Sequence, residues 1–283
     1  MKPKIGIIQV RGIGDAVIAM PIAQYYKNTH DAEVFFALDD RFCDDFTEVF
    51  GSFCKFIPVP YSSFVPSDGI NNEYWYELPK KMLEDVGCRE IISFPYHETH
   101  LLSKIDKNLR QNFPYGQLMN RLTGPYESRV TNLGLFNHLK FDEYKYATAM
   151  VPFSEKWNLH LNSANIFERG PALLNKVTEK LNGRKLVLCH LEGSDAKIDV
   201  SGLNIPQDTH LIVEIKPGIA ESIFDWIYVA MASDMIICID SFYANLFDQT
   251  QQLFGYPDKH FIKRSSIFMT PVLNTKWNYV GVN

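Results

Sequence analysis

The sequence predicts an α/β protein built from two parallel-sheet units that face each other across a cleft. Three observations lead to this prediction. Short apolar runs alternate with helical patterns in the first half of the chain, the alternation stops over a polar stretch near residue 153, and it then restarts. Strands that alternate with helices are typical of parallel sheets with crossover helices. We therefore predict two Rossmann-like domains, residues 1–152 and 153–283.

The first unit begins with three strands separated by two helices. The run KIGIIQV predicts the first strand, AVIAMPIAQYYKN the first helix and AEVFFAL the second strand. The segments RFCDDFTEVFG and FIPVP predict the second helix and the third strand. After the loop-like stretch PYSSFVPSDGINN, a helix in YWYELPKKMLEDVG and a strand in EIISF resume the alternation.

The second unit follows an irregular connection. The segment FSEKWNLHLNSANIFERGP has no clear helical or strand period. After it, the sequence predicts a helix in PALLNKVTEKLNG, strands in KLVLCHL and HLIVEI, a helix in SIFDWIYVAMAS and a strand in MIICID. Open parallel sheets bind ligands outside the carboxyl ends of their strands, so the loops at those ends are the first candidates for a site.

Net charge, apolar runs and cysteine pattern indicate which cellular compartment and which classes of binding partner to expect. The chain has 283 residues, 46% of them hydrophobic, and a formal net charge of -5, so its overall charge does not favour nucleic acid or an anionic membrane. The first apolar run is too short for a signal peptide, and no uncharged run approaches the length of a membrane span. The five cysteines form no C-x-x-C pair, which predicts reduced thiols. We expect a soluble, cytoplasmic protein.

The segment VRGIGDAV lies between the first strand and the first helix. Gly12 and Gly14 permit a sharp turn and a close approach to a ligand, and the helix start that follows favours an anion. Both glycines are therefore candidates for binding an anionic ligand, such as the phosphates of a nucleotide donor. A dinucleotide fingerprint would need a third glycine at the position of Val17. It would also need an acidic residue after the second strand, where Asp39 and Asp40 lie near the expected spacing.

Asp15 permits two interpretations, a helix cap or a general base that faces the cleft. The segment GIGDAVIAMPIAQYYK, followed by AEVFF, resembles the amino-terminal motif of the heptosyltransferase-like glycosyltransferases through Gly14, Asp15 and Pro21. This resemblance implies a GT-B fold with two Rossmann-like halves. It also implies inverting transfer of a sugar from a nucleotide donor without a metal, with Asp15 as the general base.

Two segments of the second unit extend the resemblance. ASDMIICIDSFYANLFDQ resembles the family's donor segment, which places Asp240 and Ser241 at a helix start that can hold a diphosphate. Asn245, a further candidate for donor binding, stands where the family pattern has a histidine. LCHLEGSDAK resembles the family's strand and lysine-ended loop, which implies that Lys197 neutralises the departing diphosphate. An ordinary cap and a solvated lysine are the structural alternatives, and Glu214 or the loop KPGIAES is the candidate for contact with the nucleoside.

Candidate acceptor residues follow the strand EIISF. His97 and Glu98 lie directly after it, and their H-E-x-H pattern lacks the spacing of a zincin helix, so we predict no metal site there. Lys104, Lys107 and Arg110 belong to a basic stretch interleaved with aromatic residues. That stretch fits either a solvated helix face or a site for a phosphorylated or polyanionic acceptor.

A second basic cluster, in KHFIKR, consists of Lys259, His260, Lys263 and Arg264. Together the two basic segments keep DNA as a candidate acceptor, since some phage-type enzymes of this fold glycosylate hydroxymethylated bases. The sequence thus predicts a glycosyltransferase that uses a nucleotide-sugar as substrate, with no cofactor and no metal. Its acceptor is either a bacterial surface saccharide or a hydroxymethylated base in DNA, in a bacterial or phage-infected cell. The alternatives are a non-catalytic sugar-nucleotide-binding module and a dinucleotide-dependent enzyme.

Overall fold

The computed structural model describes residues 2–10, 12–63, 76–94, 140–193, 196–203, 205–263 and 271–280. Within these ranges the strands are β1 (Lys4–Ile8), β2 (Glu33–Asp39), β3 (Lys55–Val59), β4 (Glu90–Ser93), β5 (Lys185–His190), β6 (His210–Glu214), β7 (Met235–Ile239), β8 (Asp258–Ile262) and β9 (Asn278–Val280). The α-helices are α1 (Ile13–Thr29), α2 (Cys43–Phe50), α3 (Leu78–Asp85), α4 (Phe141–Thr148), α5 (Ala164–Thr178), α6 (Trp226–Ala232), α7 (Phe242–Gln249) and α8 (Gln251–Phe254).

The strands form two sheets, in the orders β3-β2-β1-β4 and β6-β5-β7-β8-β9. Every strand pairing described in either sheet is parallel. In each sheet the strands that directly follow the first strand (β1 or β5) are added on one side of it, and the later strands are added on its other side. This order creates one switch point between β1 and β4 and a second between β5 and β7. The predicted α/β fold with two Rossmann-like units is confirmed.

The middle of helix α1 is buried on all sides because it packs between the first sheet and the second unit. Every residue from 16 to 23 is buried, so the helix lacks the polar face of an ordinary surface helix. On its outer side it meets α7, where Gln249 Nε2 donates a hydrogen bond to Val17 O at 3.3 Å. The turn at the start of α1 is therefore held at the interface of the two units.

The chain after the first sheet also packs on α1. Tyr146 Oη, on α4, donates to Ile18 O at 2.9 Å, and Gln24 Nε2 donates to Asn158 O at 2.6 Å. The contacts with α1 thus continue past residue 152, and the division of the chain at that residue stays a prediction.

A buried ion pair ties the carboxyl-terminal segment to α4. Lys156 Nζ donates to Asp142 Oδ2 at 2.7 Å, and both side chains are completely buried. Val272 completes the group, because its amide donates to the same carboxylate oxygen and its carbonyl accepts from Lys156. Burying two charges is tolerated only when their remaining hydrogen-bonding groups are satisfied, as they are here.

Helix α5 begins at Ala164, inside the segment that the sequence predicts to be irregular. Ile166, Gly170 and Leu173 are the buried residues of this helix. Gly170 lies directly against Tyr228, where an added Cβ would come within 2.3 Å of the ring Cγ. The predicted helix in PALLNKVTEKLNG covers only the second half of α5. A glycine at a packed position interrupts the apolar period, which is why the pattern does not reveal the first half.

The second basic cluster does not form one basic surface. Lys259 and His260 lie on β8, where successive side chains point to opposite faces. Lys259 is 4% exposed, donates a hydrogen bond to Gln251 Oε1, and lies 5.5 Å from the ring centroid of Trp277. Lys263 is exposed, and Arg264 lies outside the described residues.

All five cysteines are buried, and none forms a disulfide, in agreement with the prediction of reduced thiols. Burial raises the pKa of the Cys43 thiol to about 12 and that of Cys88 to about 11. Thiols that stay protonated at neutral pH are poor nucleophiles.

Candidate functional site

A cavity of about 910 Å³ lies between the carboxyl edges of the two sheets. The first unit lines it with the turn after β1, and the second unit with residues that follow β5, β6 and β7. Both switch points therefore open into the same space, where parallel sheets bind their ligands. The polar side chains of the lining include Asp15, Lys145, His190, Lys216, Asp240, Ser241 and Asn245.

The turn after β1 depends on glycine at position 12. Gly12 has φ 77° and ψ 82°, in the left-handed region, and α1 begins at the next residue. A Cβ on Gly12 would lie 2.5 Å from Asp15 Oδ2. Glycine is needed both for the backbone conformation and because the Asp15 carboxylate lies against it.

Asp15 is paired with a buried lysine that the sequence analysis missed. Lys145, on α4, has its Nζ atom 3.2 Å from Asp15 Oδ1. The lysine side chain is 7% exposed, whereas the aspartate side chain is 36% exposed. Lys145 Nζ also donates to Gln9 Oε1 at 2.7 Å and lies 5.3 Å from the ring centroid of Phe94. The cation is thus enclosed, and the carboxylate faces the cavity.

Gly14 brings the two units into close contact. A Cβ at this position would lie 3.3 Å from Phe242 N and 3.4 Å from Phe242 Cα, at the start of α7. A larger residue would therefore push the starts of α1 and α7 apart. The two helix starts meet at the cavity, and glycine at position 14 keeps them close.

On the second unit, β7 leads through Asp240 and Ser241 into α7. Ser241 is the N-cap residue in extended conformation, but its side chain makes no capping hydrogen bond. Its Oγ instead lies 2.8 Å from His190 Nδ1. Asn245 Nδ2 donates to Ser241 O at 3.0 Å, and Asn245 Oδ1 is buried without a hydrogen-bond partner. The ordinary-cap interpretation of Ser241 is therefore wrong.

His190 ends β5 and contributes an uncharged ring to the cavity. Burial lowers its pKa to about 4, and the ring lies edge-on to Tyr243 with a centroid distance of 4.8 Å. A neutral imidazole has one donor and one acceptor nitrogen. Since one nitrogen engages Ser241, His190 fixes the hydroxyl without adding charge to this side of the cavity.

One guanidinium joins the two units beside the cavity. Arg169 Nη1 donates to Glu48 Oε2 at 3.0 Å, and Arg169 Nη2 donates to Asp225 Oδ1 at 2.8 Å. The hydrogen bond from Arg169 lowers the pKa of Glu48. Nearby, Asp45 lines the cavity, and burial raises the pKa of this carboxyl, an effect that Ser222 and Ile223 partly oppose.

Lys197 does not belong to the lining of the cavity. It is 67% exposed and pairs with Glu192 at 3.0 Å across a short antiparallel bridge. Lys216, which follows β6, lines the cavity instead and pairs with Glu214 at 2.9 Å. The loop KPGIAES, which begins at Lys216, contributes most of its residues to the lining.

The remaining candidates fall into two groups. Asp39 is 1% exposed and is held by Arg41, whose Nε and Nη2 atoms donate to its two carboxylate oxygens at 2.9 and 2.6 Å. Asp40 accepts a hydrogen bond from Tyr61 N at 3.2 Å. The proposed acceptor residues lie outside the described residues: His97, Glu98, Lys104, Lys107 and Arg110.

The sequence held a signal for only one of the site residues that were missed. His190 ends a predicted strand, so its position at the carboxyl edge was available to the analysis. Lys145 comes from a helix that the sequence analysis does not predict, and Arg169 comes from the first half of α5, inside the segment predicted to be irregular. Nothing in their local pattern distinguishes them from surface residues.

Comparison with known proteins connects this fold with glycosyltransferases. A family 9 glycosyl transferase from Veillonella parvula superposes with a TM-score of 0.58, at 8% identity over 99% of this chain and 87% of that one. The ADP-heptose lipopolysaccharide heptosyltransferase II of Escherichia coli gives a TM-score of 0.49, at 10% identity over 98% and 90% of the two chains. No family model and no curated protein matches the sequence. The fold is that of the two-domain GT-B glycosyltransferases.

None of the helices within the described ranges combines the length and the apolar character needed to cross a bilayer. Among the same residues, no three His, Cys, Asp or Glu side chains are grouped so that they could hold a metal ion.

Proposed function

We propose that the protein is a glycosyltransferase that moves a sugar from a nucleotide-sugar to an acceptor hydroxyl in the cavity between the two sheets. The observation that carries this proposal is the meeting of both switch points in one cavity. A carboxylate, Asp15, faces it from the first unit, and a helix start with Ser241 faces it from the second. The shared fold with a family 9 glycosyl transferase supports the assignment.

In this proposal the donor diphosphate binds to the second unit. The first backbone amides of α7 have no partners inside the helix, and their dipoles favour an anion. Ser241 adds a hydroxyl donor, and the neutral His190 orients it without repelling a cationic group. Lys216 lines the cavity and is a better candidate than Lys197 for neutralising the diphosphate. We propose that donor binding and sugar transfer require no metal ion. EDTA should therefore leave the transferase activity unchanged.

Asp15 is the proposed general base. The acceptor oxygen attacks the anomeric carbon while the bond from that carbon to the phosphate oxygen breaks. The nucleoside diphosphate leaves with the electron pair, and the acceptor proton passes to the Asp15 carboxylate. Attack from the face opposite to the leaving group inverts the anomeric configuration. This arrangement requires a base on one side of the sugar and a diphosphate site on the other. The positions of Asp15 and Ser241, which line the cavity from different units, support this proposal.

The acceptor that we propose is a saccharide hydroxyl. A hydroxymethylated base in DNA is the second candidate, but one of its two supports is weakened because Lys259 is buried. Binding to duplex DNA would weaken steeply with added salt, since phosphate contacts release counterions. Salt-sensitive binding of duplex DNA would therefore favour the second candidate.

The competing functions predict different ligands. A dinucleotide-dependent enzyme would need an acidic residue able to bind ribose after β2, but both oxygens of Asp39 accept hydrogen bonds from Arg41. A sugar-nucleotide-binding module would bind the donor without turning it over. Asp15, whose carboxylate faces the cavity, gives the protein a group that such a module does not need.

A thermal-shift panel tests the proposal. The panel contains ADP, GDP, UDP, CDP, dTDP and NAD, because a ligand that binds only the folded state raises the melting temperature. We expect one nucleoside diphosphate to give the largest shift, and its sugar derivatives to be hydrolysed or transferred to saccharide acceptors. A shift with NAD alone, or donor binding without hydrolysis or transfer over a broad acceptor panel, would contradict a glycosyltransferase.

A further inference from the structure

Lys145 belongs to neither of the alternating sheets, yet it reaches the switch point of the first one. Its partners come from both sides of that point, because Gln9 follows β1 and Phe94 follows β4. The third partner, Asp15, lies in the first turn of α1. The ammonium thus links α4 to the segment after β1, the segment after β4 and the first turn of α1, at the edge of the cavity.

Enclosing an ammonium requires compensation for its lost hydration. At Lys145 the compensation comes from three groups: the side-chain amide oxygen of Gln9 at 2.7 Å, the Asp15 carboxylate at 3.2 Å and the ring of Phe94. Lys145 is 7% exposed, so water takes little part. An ammonium held this firmly gives a fixed direction to the carboxylate that it contacts.

The two oxygens of Asp15 are held in different ways. Oδ1 lies 3.2 Å from Lys145 Nζ, whereas Oδ2 lies where a Cβ on residue 12 would come within 2.5 Å of it. The carboxylate is therefore held by an ionic contact at one oxygen, and the other oxygen has room only because residue 12 is glycine. A catalytic group that is already oriented needs no rearrangement before proton transfer.

We propose that Lys145 is a positioning residue that acts through Asp15. With Gln9, it holds the carboxylate in the orientation that accepts the proton of the attacking hydroxyl. This role rests on the proposed function. A purely structural ion pair would affect stability alone, whereas a positioning residue affects the rate of the chemical step and leaves donor binding unchanged.

The test compares Lys145→Met with Lys156→Met, since Lys156 is also a buried lysine paired with an aspartate but lies outside the cavity lining. The readouts are kcat, the donor KM and the melting temperature, with the nucleotide-sugar selected by the diphosphate panel. Lys145→Met should lower kcat roughly 10–100-fold, because small misplacement of a catalytic group has effects of this size. The donor KM should stay within about twofold. Lys156→Met should lower the melting temperature without lowering kcat of the folded fraction.

A double-mutant cycle separates action through Asp15 from an independent effect. Once Asp15→Asn has removed the base, adding Lys145→Met should lower kcat no further. If Lys145→Met does not fold, Gln9→Leu tests the same chain of contacts, with a smaller drop in kcat that also disappears beside Asp15→Asn. Unchanged kcat in the folded single variants, or effects that multiply in the double variant, would overturn the positioning role.

The outcomes also distinguish this role from the proposed function. If the wild-type protein turns over donor and Asp15→Asn does not, but Lys145→Met does so normally, only the positioning role is wrong. If the wild-type protein transfers and hydrolyses no sugar donor, the proposed function is wrong and the positioning role is overturned with it.

Discussion

Within the described ranges, two lysine–aspartate pairs each have a buried lysine but differ in what their carboxylates face. In the pair of Lys156 and Asp142 both side chains are completely buried, and Val272 engages both of them. In the pair of Lys145 and Asp15 the lysine is 7% exposed and the aspartate 36% exposed. The first pair is closed to ligands, whereas the second presents a carboxylate to the cavity.

Under the proposed function, this difference separates a stabilising ion pair from a reactive one. Removing one partner of a closed pair leaves an uncompensated charge in the interior, which typically costs about 3–5 kcal/mol. At the open pair, water reaches the carboxylate, so its removal costs less stability. The same access that lowers its structural value lets a substrate hydroxyl approach it.

The largest effect is expected from Asp15→Asn, which keeps the shape of the side chain but removes the basic oxygen. Turnover should fall roughly 10²–10⁴-fold, the usual contribution of general base catalysis. The loss of stability should stay below the roughly 3–5 kcal/mol typical of a closed pair, because the Asp15 side chain is partly exposed and Lys145 keeps its contacts with Gln9 and Phe94. Steady-state kinetics and urea denaturation measure the two effects.

Asp142→Asn is the matched control. It should destabilise the protein by about 3–5 kcal/mol and leave the turnover of the folded fraction near the wild-type value. If Asp15→Asn behaves like this control, with reduced stability and near-normal transfer, Asp15 is a structural residue.

Gly12→Ala should disturb the open pair without changing its charges. The left-handed backbone at Gly12 costs a residue with a side chain about 1–2 kcal/mol. In addition, the new Cβ would lie 2.5 Å from Asp15 Oδ2 and must displace the carboxylate. We expect turnover to fall roughly 10–100-fold.

Gly183→Ala is the control for backbone strain alone, because Gly183 has the same φ of 77° and no atom within 4 Å of its added Cβ. This variant should lose similar stability but keep its turnover. Equal turnover in the two glycine variants would mean that the carboxylate needs no fixed position.

His190→Gln tests the uncharged side of the cavity. Burial lowers the pKa of His190 to about 4, below the usual 6.5 of an unfolded chain. Above pH 6.5 the ring is neutral in both states. As pH falls from 6.5 toward 4, only the unfolded state takes up the proton, so the folded state loses stability, by about 2 kcal/mol at pH 5.

Urea denaturation of both proteins at pH 7.5 and pH 5.0 measures this effect. Between these pH values the free energy of unfolding should decrease more for the wild-type protein than for His190→Gln. Equal losses would mean that the folded protein accommodates a charged imidazole beside Ser241.

The smallest effect is expected from two of the exposed lysines of the second unit. Lys216 lines the cavity and Lys197 does not, although each pairs with a glutamate at about 3 Å. Lys216→Ala should weaken binding of a nucleoside diphosphate by about 3–10-fold, since a surface charge interaction contributes about 1 kcal/mol. Lys197→Ala should leave it within twofold. The reverse order, by isothermal titration calorimetry, would restore Lys197 as the donor cation.

The fold was largely predictable because strand and helix periods are local properties of the chain. The runs around Gly12 and Asp240 placed two helix starts at the carboxyl edges of sheets, and the structure brings both to one cavity. Lys145 and Arg169 were not predictable, because a single charged residue on a helix has no local signal of burial. Their partners lie far away in sequence, and only the packing of the two units brings them together.

We assign donor binding to the second unit and the general base to the first. Calorimetric titration of the selected nucleoside diphosphate into the wild type, Asp15→Asn and Ser241→Ala tests this assignment most directly. A hydrogen bond to a charged group contributes about 1.5–3 kcal/mol. Ser241→Ala should therefore weaken binding by at least about tenfold, while Asp15→Asn binds within about twofold of the wild type. Equal weakening in both variants, or no binding of any nucleoside diphosphate to the wild-type protein, would contradict a donor site on the second unit and a base on the first.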